Sequence, residues 1–167
     1  MPSLQFTLNG RLVVLDAIST NTTLLQYLRS SGHPGTKEGC AEGDCGACSV
    51  ALLDSGPGDR PAWRAVNSCL IFLPMLNGRE VWSVEGLASG DQLHPAQQAL
   101  VQRLGSQCGY CTPGVVMSLF ETCYRQDLDV DWKVDDQLCG NLCRCTGYRP
   151  IREAALSLAE AVPKDQF

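Results

Sequence analysis

The sequence predicts an α+β fold in which a small mixed sheet comes first and a set of short helices follows. Three observations carry that reading. Apolar residues alternate with polar ones near the N-terminus, turn-forming Gly, Pro and Asn residues divide the first half into short runs, and from about Leu93 the alternation gives way to helical spacing.

In order along the chain, Leu4, Phe6 and Leu8 alternate, Asn9-Gly10 supplies two positive-φ positions, and an apolar strand returns to Leu15, so this segment is a hairpin. Asn21 or Thr22 is the expected cap of a short helix with Leu24, Leu25 and Leu28 on one side and Gly32 at its end. Strands are expected at Ser49 to Leu53, Arg64 to Cys69 and Arg79 to Val84, separated by the GPGDRP cluster and by Asn77-Gly78. Gly56 to Gly58 in that cluster reads as a turn and not as a phosphate cradle. The stretch from Ser83 to Gln92 is the expected linker. Pro95 opens a helix to about Leu104. Thr112-Pro113 places a capping hydroxyl before a proline, and Val116, Leu119, Phe120 and Cys123 recur on one face of a helix reaching about Gln126. A short helix is expected from Val134 to Leu142, and a last one opens at Pro150 with Ile151, Ala155, Leu156 and Leu158 as its apolar side.

Charge and pattern exclude several functions. The 167 residues carry 13 Lys plus Arg against 18 Asp plus Glu, a net charge of -5, which repels a nucleic-acid backbone or an anionic membrane. The longest apolar run, Cys69 to Leu76, is broken by Pro74 and far shorter than the roughly 20 residues of a membrane span. MPSLQFTLNG lacks the pattern of a secretory signal, so a cytoplasmic location is expected. No GxGxxG or GxxxxGK[ST] motif is present. His33 and His94 are the only histidines, which leaves no material for a histidine-rich metal site or a hydrolytic triad; His33 reads as a loop residue and His94 as a helix-opening one. Glu42 and Asp44 read as solvated loop acids rather than an acid–base pair.

The chemistry lies in the cysteines. There are ten, at 40, 45, 48, 69, 108, 111, 123, 139, 143 and 145, and their clustering favours metal ligands over long-range disulfides. Cys40, Cys45 and Cys48 stand in a CxxxxCxxC spacing with Cys69 beyond, the plant-type ferredoxin pattern for a 2Fe-2S cluster. Gly39, Gly43 and Gly46 let the loop wrap closely and aim amides at sulfur. A four-cysteine zinc knuckle is the alternative, but zinc sites usually pair two short hooks. The second group, Cys108 and Cys111 in QCGYC with Cys143 and Cys145 in CRC, again supplies four thiolates; by ligand type alone zinc stays open here. Cys108 and Cys111 precede a helix whose N-terminal amides favour a negative centre, and Arg144 offsets cluster charge or meets an anionic partner group. Cys123 falls on an apolar helix face as a buried thiol. Cys139, four residues before Cys143, could approach the second group on a continuous helix and is a rival ligand.

GTKEGCAEGDCGACSV, Cys69 in AVNSCL, SVEGL, LHPAQQAL, GSQCGYCTPG and GNLCRCTGYRPI together resemble the iron–sulfur subunit or domain of the molybdenum hydroxylases, the xanthine oxidase and dehydrogenase family. TKEGCAEGDCGAC and RAVNSCLIFLPMLNGRE look most like bacterial xanthine dehydrogenase small subunits. The resemblance implies a ferredoxin-like β-grasp domain over residues 1–84, holding one 2Fe-2S cluster on Cys40, Cys45, Cys48 and Cys69, and a small helical bundle over 85–167, holding a second on Cys108, Cys111, Cys143 and Cys145. It implies that Gln107 and Cys145 contact the pterin of a molybdenum cofactor in a large partner subunit. Electrons would then pass through the second centre to the first and on to FAD in another subunit or domain, with substrate chemistry outside this chain. Relatives often continue into an FAD domain where this sequence ends at AVPKDQF, which leaves a separate small subunit or a cut longer chain. The rival expectations are the iron–sulfur subunit of an aldehyde-, carbon monoxide- or N-heterocycle-oxidising relative, a stand-alone ferredoxin-like carrier and a zinc-stabilised adaptor.

Overall fold

The computed structural model describes residues 3–55 and 61–161; the turn expected at Gly56 to Gly58 lies outside them. The fold is mixed α+β, as the sequence predicts. β1 (Leu4–Leu8), β2 (Arg11–Leu15), β3 (Ser49–Ser55), β4 (Pro61–Asn67) and β5 (Glu80–Trp82) form one sheet in the order β2-β1-β5-β3-β4. β1 and β5 are parallel and the other pairs antiparallel. Asn9 and Gly10, at φ 51° and 75°, make the expected tight turn between β1 and β2.

The helices are α1 (Leu24–Ser30), α2 (Pro95–Gln102), α3 (Thr112–Thr122), α4 (Asp131–Leu138) and α5 (Arg149–Ala161). Their ends correct several expectations. Thr23, not Asn21 or Thr22, caps α1: its Oγ1 accepts from the Gln26 N–H while Gln26 returns the bond, a reciprocal box that neither neighbour sets up. Thr112 does not cap α3, because its hydroxyl lies 2.8 Å from that of Ser106 and Cys111 occupies the cap position. α3 stops at Thr122, and α4 starts three residues earlier than expected and ends at Leu138, freeing residues 139–142 to turn toward the first cysteine loop. β4 ends at Asn67, and Ser68–Leu70 winds into a 3₁₀ turn that carries Cys69.

Strand periodicity puts a different core on each sheet face. Leu4, Phe6, Leu8, Val50, Leu52 and Val81 pack with Leu24 and Leu28 of α1 and with Leu73 and Leu76. Each fully buried side chain of this size contributes about 1.5–3 kcal/mol. From the opposite face, Ala51, Trp63 and Trp82 join a core built from Val115, Val116, Leu119 and Phe120 of α3 with Leu100, Ile151, Ala155 and Leu158. Trp63 meets Phe120 edge to face at 5.5 Å. The sheet is therefore sandwiched, α1 on one side and α3 on the other. Glu121 of α3, 4% exposed, accepts from the Ala65 N–H of β4 at 2.6 Å and from Gln137 at 3.1 Å. The segment expected as a linker is packed: Ser83 and Leu87 are buried, Val84–Gly86 forms a 3₁₀ turn, and Asn9 holds Ser83 from both ends of its amide.

His94 opens α2 as expected, its Nδ1 accepting from the Ala96 N–H at 3.2 Å while its ring lies 5.0 Å from that of Phe120. Burial holds its pKa below the usual imidazole value. The folded state thus favours the neutral ring, so the cap is present above about pH 6.5, the unfolded value, and is lost as pH falls through the folded value. Protonated Nδ1 cannot accept a hydrogen bond, so thermal melts should lose about 1 kcal/mol across that window. His94→Asn, which caps without titrating, should remove this component; an unchanged pH slope in that variant would refute the assignment.

Candidate metal centres

The first cysteine group sits where the loop between α1 and β3 meets the end of β4. Ala41, Gly43 and Gly46 take left-handed φ values of 58°, 88° and 67°, which bend the loop back on itself. The Cys40 N–H donates to Cys45 Sγ and the Glu42 N–H to Cys40 Sγ, both at 3.4 Å. A Cβ on Gly39 would lie 2.7 Å from Cys45 Sγ, so the cradle has no room for one. Asn67 ties the end of β4 to this loop through the Gly43 carbonyl at 2.6 Å, and Ser68 donates to the Cys48 carbonyl at 2.7 Å. Each of two thiols is shifted by thiol neighbours, Cys40 by Cys45, and Cys69 mainly by Cys48 with a smaller effect of Cys40. Amides of Glu42 and Cys45 bring the Cys40 thiol down to about 7, whereas burial and the neighbouring Cys48 push Cys69 up to about 12. Thr36 Oγ1, buried near the start of the same loop, has no partner among the described residues. Glu42 and Asp44 are exposed.

The second group forms between the start of α3 and the turn joining α4 to α5. Thiols of the two motifs act on each other here, Cys108 mainly with Cys145 and Cys111 mainly with Cys143. The Tyr110 amide lowers Cys108, and burial together with Cys143 raises Cys111 to about 12. Burial opposes ionisation of Cys143, but hydrogen bonds from Thr146 outweigh it and the thiol is lowered. Cys143 is buried, while Cys108, Cys145 and Gln107 are exposed. Among the described residues, no three His, Cys, Asp or Glu side chains converge as ligands of one ion. Paired thiols suit a two-iron centre with two thiolates on each iron, whereas a structural zinc site gathers four ligands about one ion.

The two groups are joined. The Leu142 N–H, one residue before Cys143, donates to the Cys45 carbonyl at 2.9 Å. Asn141, 5% exposed, donates to the Gly46 carbonyl at 3.1 Å and accepts from Ser118 at 2.5 Å. The Tyr110 hydroxyl reaches the Glu38 carbonyl. Sequence reasoning did not single out Asn67, Asn141, Thr146 or Tyr148. A residue with a hydrogen-bonding side chain adjoining a thiol motif is their common signal, visible in NSC, GNLC and CTGY. Cys123, expected as a buried thiol on the helix face, caps the C-terminus of α3 and is half-buried, its Sγ donating to the Leu119 carbonyl at 3.4 Å, and this burial pushes its thiol up to about 11. Cys139 is exposed at the C-terminus of α4. Arg144 is exposed and without an ion pair among the described residues, whereas His33 makes local contacts, its N–H donating to the Leu28 carbonyl at 2.8 Å and its Nδ1 lying 3.3 Å from Ser31 Oγ.

Known families match both halves. Residues 6–73 match the 2Fe-2S iron-sulfur cluster binding domain and residues 83–156 the [2Fe-2S] binding domain. The chain is therefore a 2Fe-2S protein with two such domains in series, which sets the zinc reading aside. It is homologous to the iron–sulfur region of xanthine dehydrogenase and aldehyde oxidoreductase, an oxidoreductase region suited to electron transfer. Xanthine dehydrogenase of Emericella nidulans is 44% identical over 161 residues, covering 96% of this chain and 12% of the relative. The chain thus spans a small part of the curated relatives it matches. Quinoline 2-oxidoreductase from Pseudomonas putida 86 aligns with a TM-score of 0.81 and 29% identity, over 99% of this chain and 98% of that one. Aldehyde oxidoreductase from Desulfovibrio desulfuricans aligns with a TM-score of 0.78 and 33% identity, over 95% of this chain and 17% of that one. Among the described residues no helix is long and apolar enough to cross a membrane.

Proposed function

We propose that this chain is the electron relay of a molybdenum- and flavin-dependent hydroxylase of the xanthine dehydrogenase type. Residues 1–84 form a ferredoxin-like β-grasp domain whose Cys40, Cys45, Cys48 and Cys69 ligate one 2Fe-2S cluster. Residues 85–167 form a helical bundle whose Cys108, Cys111, Cys143 and Cys145 ligate the other. The observation that carries this reading is the pair of four-thiol groups held together by the Leu142 to Cys45 hydrogen bond. Two separate cores, one on each sheet face, support the division.

When bound, each cluster supplies reversible one-electron chemistry. The chain's own part is to hold and tune. Eight thiolates anchor the irons, and amides of Cys40, Glu42 and Tyr110 stabilise negative sulfur. The Leu142 to Cys45 bond fixes the distance between the two loops. Exposure of Gln107 and Cys145 supports contact with the pterin of a molybdenum cofactor in a large partner subunit. Electrons enter at that side, pass to the first group and leave to FAD in a further subunit or domain. A cytoplasmic setting, where reducing conditions keep thiols from forming disulfides, goes with this reading.

Low-temperature EPR of the dithionite-reduced protein, wild type beside Cys143→Ser, tests the reading. The expected result is two distinct 2Fe-2S signals, one lost or altered in the variant. A single signal that the variant leaves unchanged would overturn the second site. The 98% coverage of the quinoline 2-oxidoreductase chain favours a second reading of the same relay, in an N-heterocycle-oxidising complex. Assaying the purified complex with purines, aldehydes and N-heterocycles separates the two.

A further inference from the structure

Thr146, next to Cys145, is part of a closed ring of hydrogen bonds around Cys143. The Cys143 N–H donates to the Tyr148 phenol oxygen at 2.9 Å. The Tyr148 N–H donates to Thr146 Oγ1 at 3.2 Å, and Oγ1 lies 3.1 Å from Cys143 Sγ. A hydroxyl has a single hydrogen. A thiolate sulfur can only accept, so in the contact with Cys143 the Thr146 hydroxyl hydrogen donates, while the oxygen still accepts from the Tyr148 N–H. Tyr148 is held at φ 67°, a left-handed conformation uncommon for a bulky residue, and the ring closes only with the backbone in that place. Cys143 is 6% exposed, so no water competes strongly for its sulfur.

We infer that Thr146 is a positioning residue that sets the reduction potential of the second centre apart from that of the first. The inference rests on the proposed ligation by Cys108, Cys111, Cys143 and Cys145. Reduction adds one electron and one negative charge to the centre, with no bond made or broken; dithionite is the donor in the test. A hydrogen bond to a ligand sulfur stabilises the more negative state more, so it favours reduction. Threonine supplies it here from a side chain, so substitution removes it, together with the bond from the Tyr148 N–H, and leaves the four thiols unchanged.

The test is a potentiometric titration followed by EPR on the protein with both clusters bound, for wild type, Thr146→Val, Thr146→Ala and Thr146→Ser. At the wild-type midpoint of the second signal, the valine variant should hold about tenfold less reduced than oxidised centre, a shift of about 59 mV to more negative potential for one electron. The first signal serves as the internal reference and should keep its midpoint. Serine should restore the wild-type value. Should valine prevent loading of the second centre, alanine, which removes the hydroxyl without adding bulk, should show the same downward shift. Unmoved midpoints in valine and alanine, or equal movement of both signals, would overturn the inference while leaving the two-cluster reading intact. A wild-type protein with only one signal would instead overturn the ligand assignment, and the role of Thr146 with it.

Discussion

Cys48→Ser should abolish one of the two EPR signals and about half of the bound iron, whereas Cys123→Ser and Cys139→Ser should leave both signals in place. Cys48 immediately precedes β3 and is 3% exposed, beside Cys69 of the 3₁₀ turn that follows β4. A serine hydroxyl there is a hard, poorly ionising donor in place of the soft thiolate that iron–sulfur centres select. Loss of the centre also removes its contribution to folding, so melting should fall along with iron content. Cys123 differs in kind. Its thiol is half-buried at the C-terminus of α3 and already spends its hydrogen on the Leu119 carbonyl, a bond serine can make as well. Exposed Cys139 should change stability by less than about 0.5 kcal/mol. Iron and EPR measured on the three variants check the assignment; a Cys139→Ser protein that loses iron as Cys48→Ser does would refute it.

The cysteine motifs were readable because ligand spacing is a local property. CxxxxCxxC, CxxC and CxC each place their thiols within a few residues, and the sequence carries that geometry without help from the rest of the chain. The hairpin was readable for a similar reason, since Asn9-Gly10 selects its own turn. The pairing of thiols between motifs was not. Cys111 meets Cys143 only because α3 and the turn after α4 converge on the first cysteine loop, an outcome of packing over many residues. The errors at helix ends have the same origin. α4 was expected to run through Leu142, yet the chain leaves the helix after Leu138, and the Leu142 N–H goes to Cys45 instead of an intrahelical carbonyl. Likewise Ser83 to Gln92 has the composition of a spacer, but Ser83 and Leu87 find buried partners that composition does not reveal.

That convergence predicts an unequal response of two glycines with nearly the same backbone. Gly46 and Gly78 have φ values of 67° and 75°, so alanine at either position carries the left-handed penalty of roughly 1–2 kcal/mol. Around Gly78 a Cβ meets nothing within 4 Å. At Gly46 it would strike the Gly140 carbonyl and come within 2.5 Å of Asn141 Nδ2. The turn after α4 would have to back away, weakening both the Asn141 to Gly46 and the Leu142 to Cys45 hydrogen bonds. Overpacking of this kind costs about 1–3 kcal/mol, and each weakened bond adds about 0.5–1.5 kcal/mol. Denaturant unfolding of the cluster-loaded protein should therefore show Gly46→Ala less stable than Gly78→Ala by about 2–6 kcal/mol, with the m-value unchanged. Equal losses in the two variants would mean that the contact between the first cysteine loop and the 139–142 turn bears no load, and that the two thiol groups are held in register by the α3–sheet core alone.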